Sequence, residues 1–182
     1  IMETLTAFVR ERAPWPPWQA VSSEEPEERA EPTGMVIRPA TDIQAALTVL
    51  GRREVRVYRE ELEGGRFDLA TTDLRCADLR RAHLMRARLW GANLERASLE
   101  EAHLERADLS TAYLDRAGLR GAHLEGAALS GAHLTRTDLR ETHLEGANLQ
   151  GAHLEGVYLD EAVGLTKEQL AEAYGDENTI VQ

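Results

Sequence analysis

Leucine occupies every fifth position of this chain for nineteen consecutive steps. The series runs Leu69, Leu74, Leu79, Leu84, Leu89, Leu94, Leu99, Leu104, Leu109, Leu114, Leu119, Leu124, Leu129, Leu134, Leu139, Leu144, Leu149, Leu154 and Leu159. Alanine stands two residues before most of them; Phe67, Thr72, Thr137, Thr142 and Val157 replace it, mainly toward the ends. An α-helix has no use for this beat. At about 100° per residue, five residues advance about 500°, so the leucines spiral around the helix instead of lining one face. A flat strand fails too, because five is odd and successive leucines would change face. Locally, however, Ala and Leu two apart share one side of an extended chain. The next alanine comes three residues later, so the chain must bend to keep it on that side. Each pentapeptide therefore reads as one short straight side and one corner. Repeated corners wind the chain into a coil with Ala and Leu inside and three residues facing out.

The outward residues set the number of sides. His83, His103, His123 and His143 are spaced by twenty, as are Arg96, Arg116 and Arg136, and Glu105, Glu125 and Glu145. No histidine lies fifteen after another, although some residues also recur at ten. Four sides of five are favoured over three. Nineteen units then make nearly five coils, a tube about 23 Å long at about 4.8 Å per coil. The fold class is an all-β solenoid in which units stabilise one another through their neighbours. Glycines such as Gly91, Gly121, Gly126 and Gly131 fall at corners, where tight bends favour them.

The stretches ADLRRAHL, GANLERASL and GANLQGAHL resemble the A-(D/N)-L-x-x motif of the pentapeptide-repeat family. The likeness covers Phe67 to Val163, about half of the chain. It implies a right-handed quadrilateral parallel β-helix and a non-catalytic scaffold that binds another protein. It also raises an alternative, because some members protect DNA gyrase from quinolones by imitating duplex DNA. The D/N position is often histidine here, which departs from the family pattern.

The chain divides into residues 1–13, a short helix that buries Leu5, Phe8 and Val9; 14–34, a linker rich in Pro and Glu; 35–65, an N-terminal cap; 66–163, the repeats; and 164–182, a C-terminal cap helix and tail. An open solenoid exposes strand edges, so caps are expected at both ends. In TDIQAALTVLG, Ile43, Ala46, Leu47 and Leu50 have helical spacing, with Thr41 or Asp42 at the start and Gly51 at the end. Val55 and Val57 in EVRVYREEL suggest a following strand. At the back, Thr166 and Gln169 form a capping-box pattern, Leu165 and Leu170 seal the last coil, and Gly175 ends the helix. Trp15 and Trp18 either grip the surface at Met85 and Trp90 or are ordinary isolated exposed apolar residues; the second is the expectation.

The sequence opens on Ile1, so the natural protein is expected to begin upstream. The first residues resemble a stretch of family members with a membrane-anchored region further upstream. This fragment is expected in the cytoplasm without membrane contact of its own, its parent either soluble or anchored on that side. No apolar run reaches the roughly 18 residues of a membrane span. The single cysteine, Cys76, fits a reducing compartment and reads as incidental.

Net charge is −11, from 21 Lys and Arg against 32 Asp and Glu, which disfavours direct nucleic-acid binding. The repeats carry 12 basic and 16 acidic residues, only −4, with the signs interleaved. That weighs against duplex imitation, as do the short last helix and the unbroken beat. The catalytic signatures of a P-loop, G-x-S-x-G or H-E-x-x-H are missing, and no cofactor is implied.

All six histidines directly precede a central leucine and face outward. His83, His103, His123 and His143 form one column, with Glu105, Glu125 and Glu145 in a parallel one. His133 and His153, with Glu155, are expected to repeat the theme on a neighbouring face. The favoured reading is a solvated surface in which His replaces Asp or Asn and lessens Glu–Glu repulsion. The alternatives are a metal site, since two imidazoles and a carboxylate suit zinc, and a pH switch. Arg96, Arg116 and Arg136 are expected to pair with neighbours such as Glu95 and Asp115 rather than to bind a partner.

Overall fold

The structure, a computed structural model, describes residues 2–14, 41–51, 67–176 and 179. The expected strand at Val55 and Val57, Trp15, Trp18 and nearly all of the Pro/Glu-rich linker lie outside these residues.

The corners explain the beat of five. From Leu74 onward each is a β-turn in which the leucine carbonyl accepts from the N–H three residues on, as Leu104 does from Ala107 at 2.9 Å. The third turn residue has positive φ at every step from Thr71 to Glu161, the signature of a type II turn. Seven of these corners are glycine, with φ of 61–66°. Twelve are not, and Arg96, Arg116 and Arg136 sit there at 57–59°. A left-handed conformation costs a non-glycine residue roughly 1 kcal/mol, and the hydrogen bonds and burial of each unit offset it.

Between corners only three residues are extended, so each side contributes one parallel bridge and not a longer strand. The bridges join residues twenty apart from Asp68–Arg88 to His143–Val163. Four five-residue sides therefore complete one coil. Across coils, His103 N donates to Ala82 O at 2.9 Å, Leu104 N to His123 O at 2.8 Å and Arg106 N to Glu125 O at 2.9 Å. The same trio recurs along the tube.

Inside, Leu94, Leu114 and Leu134 form one column and Ala92, Ala112 and Ala132 another, all fully buried. The threonines at alanine positions are buried too, and each finds an acceptor. Thr72 Oγ1 donates to Leu69 O at 2.6 Å, Thr137 Oγ1 to Leu114 O at 2.7 Å and Thr142 Oγ1 to Leu119 O at 3.0 Å. Threonine is the polar residue this interior admits because a leucine carbonyl lies within reach of its hydroxyl.

Two helices, α1 (Met2–Arg12) and α2 (Thr41–Gly51), lie against the first coil. Val9 of α1 and Ile43, Ala46 and Leu47 of α2 join the buried core, so both helices cover this edge. Asp73 N donates to Ala13 O at 2.7 Å, where one coil later Asn93 N donates to Thr72 O at 2.8 Å. The Gln44 side chain does the same service for Asp78. Its Oε1 accepts from Asp78 N at 3.0 Å and its Nε2 donates to Asp78 O at 2.8 Å, as a neighbouring strand would.

At the other end, α3 (Lys167–Ala171) begins with the expected capping box. Thr166 Oγ1 accepts from Gln169 N at 3.2 Å, and Gln169 Oε1 accepts from Thr166 N at 2.8 Å. Gln169 Nε2 also donates to Leu144 O and Ala147 O at 3.1 and 2.7 Å. Leu165 and Leu170 pack on the core, partly buried. The helix stops at Glu172 and not at Gly175, because Tyr174 has already turned back to bridge His153.

Gly164, with φ of 73°, breaks the beat. A Cβ there would lie 2.9 Å from the Cα of Glu145, closer than backbone permits. Gly164→Ala should therefore lift α3 from the last coil. The expected local cost is about 2–4 kcal/mol, from the clash and the left-handed backbone together. Amide exchange checks it: protection at Gln169 and Leu170 should fall while Leu114 stays protected.

Candidate functional site

The D/N position of the repeat has a chemical job. The N–H two residues after it is not used between coils, and an Asp or Asn side chain takes it up. Asn93 Oδ1 accepts from Glu95 N at 3.0 Å, Asn148 Oδ1 from Gln150 N at 3.0 Å and Asp108 Oδ1 from Ser110 N at 3.2 Å. Where arginine follows, the carboxylate also takes its guanidinium in a fork, as in Asp73–Arg75, Asp78–Arg80 and Asp138–Arg140.

Histidine replaces this local bond with a ladder. The rings of His83, His103, His123 and His143 stack at 4.8, 4.8 and 4.7 Å between centroids, one coil apart. Such spacing lies in the attractive range for stacked rings. Two of the expected glutamates join the rings directly: Glu105 Oε1 lies 3.0 Å from His103 Nδ1, and Glu125 Oε1 lies 3.2 Å from His123 Nδ1. In both, Oε2 is buried with no hydrogen-bond partner. Glu145 instead lies under Gly164. His123, Glu125 and His143 bring three possible ligand atoms within 4.8 Å of one another. His83, His103, Glu105 and Glu145 do not belong to that group.

The second set of histidines lies on the opposite face, not on a neighbouring one. Ten residues are two sides, and two corners reverse the direction. There Tyr113, His133 and His153 stack at 4.7 and 5.0 Å, and Tyr174 continues the column at 5.1 Å with its ring tilted by 34°. The histidine pattern alone missed both tyrosines. Tyr113 stands twenty before His133 and was readable from spacing. Tyr174 was not, because the beat ends at Gly164.

Burial holds the imidazoles of His83 and His133 below their usual pKa; nearby His103 and His153 add repulsion that Glu105, and Asp115 with Glu155, oppose. On the same face as His133, burial and then Asp115 push Glu95 up, against Arg75 and Arg96. Arg96 thus acts on Glu95 by its charge. Cys76 is a half-buried free thiol. Met85 is half-buried and Trp90 is 44% exposed.

The His133 shift has a sign. Its folded pKa lies below the unfolded one, so the unfolded chain binds the proton first as pH falls. Stability is full above the ordinary imidazole value, near ~6.5, and is lost below it until the lowered folded value is passed. His133→Asn should reduce the drop in melting temperature on acidification across that window. Asparagine would also restore the usual bond to the N–H of Thr135. An unchanged drop would refute the assignment.

A family model for pentapeptide repeats matches eight copies in three overlapping stretches, residues 66–100, 92–131 and 127–163, more than half of the chain. The chain belongs to the pentapeptide-repeat family. Members of this family form right-handed β-helices and are generally non-enzymatic scaffolds. Among solved structures, it is similar to the pentapeptide repeat protein Rfr23 from the cyanobacterium Cyanothece 51142. The two share 35% identity over 60% of this chain and 63% of that one, with a TM-score of 0.43. A thylakoid-lumen pentapeptide repeat protein of Arabidopsis thaliana matches at 28% identity over 55% of this chain and 77% of its own, with a TM-score of 0.50. QnrB1, a plasmid-mediated fluoroquinolone resistance protein, matches at 21% identity over 60% and 58%, with a TM-score of 0.37. This chain spans less than two thirds of the length of Rfr23. No curated protein matches its sequence. Among the described residues, no helix is long and apolar enough to cross a membrane.

Proposed function

We propose that this pentapeptide-repeat chain is a non-catalytic scaffold, a solenoid of nearly five coils closed by α1 and α2 at one end and α3 at the other, whose flat faces bind another protein. One observation carries the reading. The outward residues stand in straight columns one coil apart, and their polar groups are largely spent on one another in ladders and forks. Such a surface suits a broad contact better than turnover. Two grooves among the described residues are open, of about 580 Å³ beside α2 and about 530 Å³ beside α3. Trp90 beside Arg88 supplies an exposed aromatic and a cation, the residue types that most often anchor protein interfaces.

Duplex imitation needs rows of unpaired negative charge. Here Asp73, Asp78 and Asp138 are each held by an arginine, Glu101 by Arg81 at 2.8 Å, and Glu141 by Arg120. A gyrase supercoiling assay with and without a quinolone separates the two readings. The scaffold reading predicts no effect at high protein concentration. Protection or inhibition at low micromolar concentration would make the chain a DNA mimic.

A further inference from the structure

The face that carries the four stacked histidines is not uniform along the tube, and one step of it differs in kind. At the His83 step the following outward residue is Met85; at the His103 step it is Glu105, but the corner beyond is Arg106. At the His123 step the outward residue is Glu125 and the corners beyond are Gly126 and then Gly146. Only there does a His–Glu pair face a further histidine with no cation at its own corners.

We propose that His123, Glu125 and His143 bind one divalent cation of the zinc class, clamped between successive coils with water completing the shell. The separation of the first two donors fits. Two ligands on a tetrahedral ion with bonds of about 2.0–2.1 Å stand roughly 3.3 Å apart. His123 Nδ1 and Glu125 Oε1 are already 3.2 Å apart. The third donor, on His143, lies within 4.8 Å of both, so its half-buried ring must leave its 4.7 Å stack on His123 for its nitrogen to reach the ion. The second oxygen of Glu125 is buried without a donor, as are those of Glu105 and Glu155, and at Glu125 a cation held with His143 would supply the compensation. Two imidazoles and one carboxylate select zinc, copper or nickel over magnesium or calcium, which prefer all-oxygen shells. The opposite ladder is a built-in control. His133 is followed by Thr135, and His153 pairs with Glu155 at 3.5 Å but faces Tyr174 in place of a further histidine.

The test is calorimetric titration of the full untagged chain with zinc alone, followed by cobalt absorption spectra. One ion per chain is expected, with the intense visible bands of tetrahedral cobalt, and magnesium should not compete. Loss of a partner that merely orients a ligand costs 10–100-fold in affinity, so Glu125→Gln and His143→Ala should each cost about 100-fold or more. His153→Ala should change nothing. Zinc should raise the melting temperature of the parent chain and not that of Glu125→Gln, whose near-identical shape keeps the comparison valid. No binding, or binding that survives both Glu125→Gln and His143→Ala, overturns the site. Either failure leaves the scaffold reading standing, because that reading does not depend on an ion.

Discussion

Leu114→Ala should destabilise the chain by about 3–5 kcal/mol, the range for emptying a leucine-sized volume in a core that cannot collapse. Leu114 is fully buried, with Leu94 one coil below and Leu134 one coil above. The backbone around the void is pinned by bonds such as Leu114 N to His133 O at 2.7 Å and Leu94 N to Tyr113 O at 2.7 Å, so neither coil can close in. A solenoid holds together through nearest-neighbour interfaces. The weakened rung should therefore split unfolding into two transitions, one for the coils on each side. Denaturant unfolding followed by amide exchange checks both the size and the split. A loss below about 1 kcal/mol would mean that the leucine column is not close-packed.

Ala112→Leu should cost about 3 kcal/mol or more, the upper end for overpacking a rigid core. Ala112 is fully buried, with Ala92 and Ala132 in the same column, and its carbonyl accepts from His133 N at 2.9 Å. The wall there is bound to the next coil and has no space to bow outward. Ala112→Thr is the informative partner. Thr137 and Thr142 each donate to the leucine carbonyl 23 residues earlier, and the equivalent acceptor for position 112 is Leu89 O. Threonine should therefore cost less than about 1 kcal/mol. Comparing the two melting curves tests the hydroxyl's acceptor: a threonine loss as large as the leucine loss would mean that the Leu89 carbonyl does not receive the hydroxyl at this position.

Much of this architecture was legible because the interior is monotonous. Leucine every fifth residue sets the side length, and histidine every twentieth sets the number of sides. What escaped depends on contacts that no period encodes. Gln44 and Gln169 have the look of ordinary helix-surface residues, yet their amides bond the backbone of the first and last coils. Tyr174 extends the second aromatic ladder only after the extra residue at Gly164 shifts the register. The candidate site was half legible. Spacing gave the histidine column and its glutamates, but not that Glu125 would group with His143 while Glu105 stays out of that group. The corners carry a different lesson. Glycine marks the left-handed bend in seven units, but arginine, glutamate, threonine and cysteine take the same bend elsewhere, so the turn is imposed by stacking and not by local preference.

The central claim is that residues twenty apart touch, because it sets the core, the ladders and every outward column together. Nuclear Overhauser spectra of labelled protein test it directly. Cross-peaks are expected between His103 and His123, and between His123 and His143, for both backbone amides and ring protons. Contacts between residues fifteen apart, linking His103 to Gly118 or His123 to Asp138, would mean a three-sided coil and would contradict the account.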